Sequence, residues 1–267
     1  MTGCNTLSRE SARATDWTAH AAIATDPQAC IQRLQAATPD DESALDPAAL
    51  RLVNWNMQKG NDRQSFSDLT RIAGDSDLVL LQEAAIAPAF LNPRSKARFW
   101  TFAPGYRKGK ELTGVLTLSA TMPLSRCSFM AWEPWLRSPK ATNITQYALQ
   151  GASKTLVVVN LHAVNYTFGL RHFKGQLEQI AQVLNAHEGP VILSGDFNTW
   201  RMARFRVMEA LTASLALEPV PFSDDQRKLK FGLALDHVYV RGLQHQRSAT
   251  FSVTTSDHNP MTVLLSR

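Results

Sequence analysis

The chain has no apolar run of about 18 residues, so nothing in it reads as a membrane-spanning helix. It has three cysteines, Cys4, Cys30 and Cys127, and no CxxC pair, which argues against a structural zinc. It has no internal repeat and no low-complexity tract, which excludes a solenoid or a compositionally biased tail. What remains is a 267-residue chain with 44% hydrophobic residues, enough apolar surface for a sizeable core. That length fits one large α/β or β-rich domain, or two small ones.

Positive charge is unevenly placed. The net charge is +5 and the sequence pI about 9.3. Residues 1–50 carry three Arg and seven acids, a net of −4, so residues 51–267 carry +5 − (−4) = +9. A basic body of this kind fits a polyanionic partner, and equally an ordinary solvated surface.

The opening Met1-Thr2-Gly3-Cys4 places small residues before a cysteine, as at the end of a bacterial lipoprotein signal. On that reading Cys4 is a lipid-anchor site, the protein is periplasmic, and Cys30 and Cys127 are free to form a disulfide. The alternative is a cytoplasmic protein with three reduced thiols.

Residues 1–49 read as a partly disordered extension with one short helix, Pro27 to Ala37, capped by Asp26 with Pro27 in the first position. The regular body spans 50–267. Strands are expected at 52–56, 77–83, 114–119, 127–132, 142–149, 155–161, 190–194, 235–241, 247–253 and 260–265. Helices are expected at 65–72, 84–97, 169–187 and 201–216. Many strands with mixed connections point to two packed sheets with helices outside, as one domain.

Polar residues recur where apolar strands stop. Pro190-Val191-Ile192-Leu193 runs into Ser194-Gly195-Asp196-Phe197-Asn198, and Asp196 and Asn198, two apart on an extended segment, point to one side. Asn56 ends the first strand; its carboxamide suits a carboxylate or a metal-bound water, and also an ordinary turn. Glu83 ends the run 78–83 and reads as a hard-metal ligand or a helix N-terminal charge. His162 and Asn165 follow Val157-Val158-Val159, and His162 could donate to phosphate or serve as a general acid. Asp236 and His258 are spaced so that a hairpin could pair them, and the resulting imidazolium would neutralise charge on a phosphoryl group. His237 points away from Asp236 and is expected to pack or face water.

Taken together, Asn54-Trp55-Asn56, Leu81-Gln82-Glu83, Asn160-Leu161-His162 with Asn165, Gly195 to Asn198, Leu235-Asp236-His237 and Ser256 to Pro260 resemble the endonuclease/exonuclease/phosphatase superfamily, in its motif order. Within it the chain is most similar to the YafD-like bacterial proteins, through 162–165, 195–198, 224–227 and 256–260. The resemblance implies a deoxyribonuclease-I-like fold, a four-layered α/β sandwich with two mixed sheets flanked by helices. It implies Glu83 as the principal metal ligand, with Asn56 and Asp257 nearby. Mg²⁺ is the expected ion, with Mn²⁺ and Ca²⁺ as alternatives. Asp196, assisted by Asn198, would activate the attacking water. His258, paired with Asp236, would bind the phosphate from one side, and His162 and Asn165 from the other. Gln58 stands where exonuclease-III-type members carry Asp, which weakens an abasic-site reading.

The resemblance leaves the substrate to the loops. Basic residues cluster at 94–110, at Arg201, Arg204 and Arg206, and at Arg227, Lys228 and Lys230. They favour nucleic acid, and Trp132, Trp135 and Trp200 could stack on bases. A phospholipid or other small phosphodiester is the alternative, and a non-catalytic binding protein a third reading. A monomer is expected.

Overall fold

The computed structural model describes residues 23–39, 43–60, 62, 64–85, 96–108, 111–134, 136 and 138–267. Met1 to Cys4 lies outside them. Helix α1 (Pro27–Ala36) begins as expected: Asp26 accepts from Ala29 N at 2.9 Å and Pro27 occupies the first turn.

Strands β1 (Leu50–Asn56), β2 (Leu78–Ala85), β3 (Phe99–Lys108) and β4 (Glu111–Ser119) form one sheet with β13 (Gln244–Thr250) and β14 (Met261–Ser266), in the order β13-β14-β1-β2-β4-β3. The second sheet runs β5 (Ser125–Trp132), β6 (Pro139–Tyr147), β7 (Leu156–His162), β8 (Val191–Asp196), β12 (Asp236–Arg241) and β9 (Glu218–Pro219), in the order β5-β6-β7-β8-β12-β9. β1–β2 and β7–β8 are parallel pairs, and the other neighbours are antiparallel.

Three large apolar clusters fix the layers. Leu52, Leu78 and Leu80 meet Val158, Ile192 and Val238 between the sheets. Val53, Trp55 and Val79 pack outward against α2 (Ser65–Ala73), through Leu69 and Ala73. Val157, Val159 and Leu193 pack outward against α1, α3 (Arg171–Asn185) and α4 (Met202–Ser214). The result is helix, sheet, sheet, helix: an α/β sandwich of the deoxyribonuclease-I type. Among the described residues no helix is long and apolar enough to cross a membrane.

The strand expected at 247–253 lies at Gln244–Thr250, and two larger expectations change. Residues 84 and 85 continue β2 rather than opening a helix, and 86–95 lie outside the described residues. β3 was not foreseen; its Pro104 and Gly105 break the strand pattern, and a register shift between Pro104 and Arg107 accommodates them.

Candidate active site

Alternation along the strands builds the site. Leu52, Asn54 and Asn56 face the space between the sheets, as do Leu80 and Gln82, Val158, Asn160 and His162, and Ile192, Ser194 and Asp196. Each strand therefore turns from apolar to polar toward the same rim. Midway, Gln82 Nε2 donates to Asn54 Oδ1 (2.9 Å) and across to Asn160 Oδ1 (2.6 Å), so the sheets are joined by hydrogen bonds where hydrocarbon stops. β12 is antiparallel to β8 with Asp236 opposite Asp196, and β7 is parallel to β8 with His162 opposite Asp196, which brings all three to one level.

The rim gathers most of the expected residues. Asp196 Oδ2 accepts from Asn56 Nδ2 at 3.0 Å and lies 3.6 Å from His162 Nε2 and 4.0 Å from His258 Nε2. Its other oxygen accepts from Asn198 N at 2.9 Å, and Asn198 Nδ2 donates to Ala163 O, so the loops after β7 and β8 are tied together. His258 Nδ1 donates to Asp236 Oδ2 at 2.7 Å. Trp55 Nε1 holds His258 O at 2.9 Å, and Ser256 Oγ holds Asn56 O at 2.7 Å, which fixes the C-terminal loop over β1. His162 Nε2 is 3.8 Å from Glu83 Oε1. Asn165 stands at the edge, its Oδ1 accepting from Trp200 Nε1 at 2.9 Å. Asp257 is exposed at the surface, and its negative charge is felt at His258. His237 is buried against Phe197 and Tyr239 on the opposite face of β12.

Glu83 reaches the site through a bulge. Two β2 residues, Gln82 and Glu83, oppose the single Val115 on β4, and Glu83 has φ 50°. For most non-glycine residues that region costs on the order of 1 kcal/mol; Asn198, of a type that tolerates it, has the same φ of 50°. Both sit at strand ends, where the chain must turn a functional side chain off the sheet.

Charge separates the two imidazoles. Burial works against a charge on His258, but the carboxylates of Asp236, Asp196 and Asp257 override it and raise its pKa to about 10. Burial, then Lys140 and His258, hold His162 well below the ordinary value. Burial also raises the Asp196 carboxyl, against the pull of His258. His258 is thus the cationic histidine and His162 the neutral one.

Sequence reasoning missed Lys140, Lys59 and Glu133. Lys140 Nζ donates to His162 Nε2 (2.9 Å) and lies 3.8 Å from Glu83; Lys59 Nζ lies 3.4 Å from Glu83. Glu133 is buried and accepts from Asn165 N at 2.6 Å. None of the three lies in a motif. Arg204 and Arg227, grouped from the sequence among the cations for nucleic acid, are already engaged: Arg204, buried, donates to Val164 O and Asn165 O, and Arg227, part-buried, to Asp225 and Asp236 O. Trp135 and Arg94 lie outside the described residues, and Trp132 is exposed.

Two carboxylate positions are candidates for a hard cation. One is the Glu83 carboxylate, a point where two ammonium groups already gather. The other is Asp196 with Asp236, whose ligand atoms and a nitrogen of His258 lie within 4.8 Å of one another; Asp236 Oδ1 is buried with no hydrogen-bond partner among the described residues. An ion there would compete with the imidazolium of His258.

A sequence profile described as the Endonuclease/Exonuclease/phosphatase family matches residues 53–258. A UPF0294 protein of Vibrio cholerae is 38% identical over 240 residues, covering 89% of this chain and 83% of that protein. An endonuclease/exonuclease/phosphatase structure from Beutenbergia cavernae superposes with TM-score 0.63 at 15% identity, over 82% of this chain and 72% of that one. Sphingomyelinase C from Streptomyces griseocarneus gives 0.59 at 18%, over 82% and 99%. The matched segment runs from β1 to His258 and so takes in the whole rim just described: the chain belongs to the endonuclease/exonuclease/phosphatase family.

Proposed function

We propose that this protein is a Mg²⁺-dependent phosphodiesterase that cleaves nucleic acid, with little sequence preference, by in-line attack of water. Members of the superfamily are phosphoester hydrolases. The observation that carries the reading is the position of Asp196: one carboxylate oxygen within 4.0 Å of an amide donor and of two imidazole nitrogens.

Asp196 takes the proton of the attacking water. Asn56 and the Asn198 backbone hold its carboxylate still. The His258 imidazolium, kept charged by Asp236, faces the phosphoryl oxygens as negative charge develops on them. His162, neutral, and Asn165 orient the phosphate from the opposite side. Glu83, with Asn56 and Asp257 nearby, would hold the Mg²⁺, which when bound supplies charge neutralisation at the phosphate. Mn²⁺ and Ca²⁺ suit the same hard oxygen donors.

Plasmid nicking tests this. Nicking in Mg²⁺ that EDTA abolishes is the expected result; no nicking across Mg²⁺, Mn²⁺ and Ca²⁺ refutes it. The second reading, a phospholipid diester, is favoured by the fold shared with sphingomyelinase C. Choline-phosphate release from sphingomyelin, with DNA left intact, would establish it instead. The Cys30–Cys127 disulfide suits an oxidising compartment, and we extend the proposal to a periplasmic location.

A further inference from the structure

Beside the pocket stands an aromatic and basic shelf that the hydrolytic chemistry does not use. It is built from three segments: the loop after β7, the loop after β8, and a two-stranded hairpin, β10 (Leu229–Lys230) and β11 (Leu233–Ala234). The first two are stitched together. Trp200 Nε1 donates to Asn165 Oδ1, Arg201 to Gly169 O (2.6 Å), and Arg204 to Asn165 O (3.1 Å). The hairpin joins them through Phe231, whose ring lies 6.3 Å from that of Trp200, and through Lys230 Nζ, 5.4 Å from the same ring. Arg201 also lies over Trp200, at 5.3 Å.

Large side chains are left in water along this shelf: Phe231 is 80% exposed, Phe168 74% and Tyr166 55%. Phe231 carries a second cost. It and Gly232 are the central residues of a two-residue turn, both at positive φ (53° and 78°), where asparagine-glycine is the favoured pair. A phenylalanine there is strained and gains little burial, so folding accounts poorly for it.

We infer that this shelf binds single-stranded nucleic acid, stacking unpaired bases on Phe231 and Tyr166 while Lys228, Lys230 and Arg201 meet the backbone phosphates. Rings interleaved with cations suit a chain of alternating bases and phosphates. A duplex offers no free base face to such rings. The shelf leads into the pocket through Asn165, so a strand lying on it delivers a phosphate to His162 and Asp196. The inference deepens the nuclease reading and rests on it for the delivery of a phosphate to the pocket, but binding is measurable without turnover.

The test is fluorescence anisotropy of a labelled 20-mer oligo-dT and of a duplex of equal length, in EDTA, with the full chain. The single strand should bind at least tenfold more tightly than the duplex. Phe231→Ala should weaken single-strand binding by about tenfold, within the range that loss of one base–aromatic stack produces, and change duplex binding less than twofold. Lys230→Gln should weaken both and reduce the salt slope by about 1. Phe231→Asn separates fold from function: it should melt no lower than the parent, because asparagine tolerates this φ, yet lose binding as the alanine variant does. Equal affinity for strand and duplex, or Phe231 variants that bind oligo-dT like the parent, would overturn the inference. So would Phe231-dependent sedimentation with phosphatidylcholine/phosphatidylglycerol vesicles in place of oligonucleotide binding. Tight strand binding without nicking would refute only the nuclease proposal.

Discussion

At the scale of single residues, the site separates charge by burial and pairing. His258 faces carboxylates and is raised to about 10; Asp236→Asn should bring its titration midpoint down by two units or more, read from the imidazole signals by NMR. An unmoved midpoint would show that Asp236 does not control the charge. Asp196→Ala should lower turnover about 10³-fold, and a loss below tenfold in rigorously purified enzyme would remove its role as base. Glu83→Gln should raise the Mg²⁺ concentration needed for half-maximal activity; an unchanged metal titration would contradict its assignment as ligand. Glu83, His162 and Asp196 were legible in the sequence because each ends an apolar run that reads as a buried strand, and Asp236 and His258 because each stands at the start of, or just before, another such strand. Lys140, Lys59 and Glu133 were not, because nothing local marks them. Lys140 meets His162 through the antiparallel pairing of β6 with β7, a register no composition reveals.

At the scale of elements, two close fits set what β8 and β12 tolerate. Gly195 has φ 148°, and a Cβ there would stand 1.9 Å from Leu161 O on β7. Gly195→Ala would push apart the strands that carry His162 and Asp196. It should destabilise by more than about 3 kcal/mol in urea unfolding, and near-parental stability would show that the strands can yield. On β12, burial lowers the His237 pKa from 6.5 to about 3. Above pH 6.5 the ring is neutral folded or unfolded. Between 6.5 and about 3 the unfolded chain takes up a proton that the folded one refuses, so stability falls as pH drops through that window. Stability should therefore decline by about 1.4 kcal/mol per pH unit for this one group at mid-window, and His237→Gln should flatten the slope by about one proton. His187, also lowered mainly by burial, acts with the same sign. Strand existence was readable from apolar runs; the bulge that turns Glu83 inward was not, because it depends on β2 and β4 disagreeing in length. Trp200 and the hairpin are also nonlocal: thirty residues of sequence separate rings that touch.

At the scale of the whole molecule, the layer order follows from which strand face is apolar, and that was legible. The fate of the basic surplus was not. Arg204 and Arg227 fall in basic clusters of the sequence, yet both are engaged by backbone carbonyls, Arg204 with Val164 O and Asn165 O and Arg227 with Asp236 O, because Arg has donors enough to satisfy loop backbone. The pairing of Cys30 with Cys127 pins α1 onto the outer face of β5. By chain-entropy arguments a closed loop of this size stabilises by a few kcal/mol, so reduction should lower the melting temperature by on the order of 10 °C. Scanning calorimetry with and without dithiothreitol checks it, and an identical transition would show that the cross-link is energetically idle.

That sulfur bond has a further consequence for how the protein survives damage. It spans 97 positions of the chain, so a protease that nicks anywhere inside the span releases nothing. The two fragments would travel as one band on a non-reducing gel and part only when thiol is added, leaving a cut protein still assembled wherever reductant is scarce.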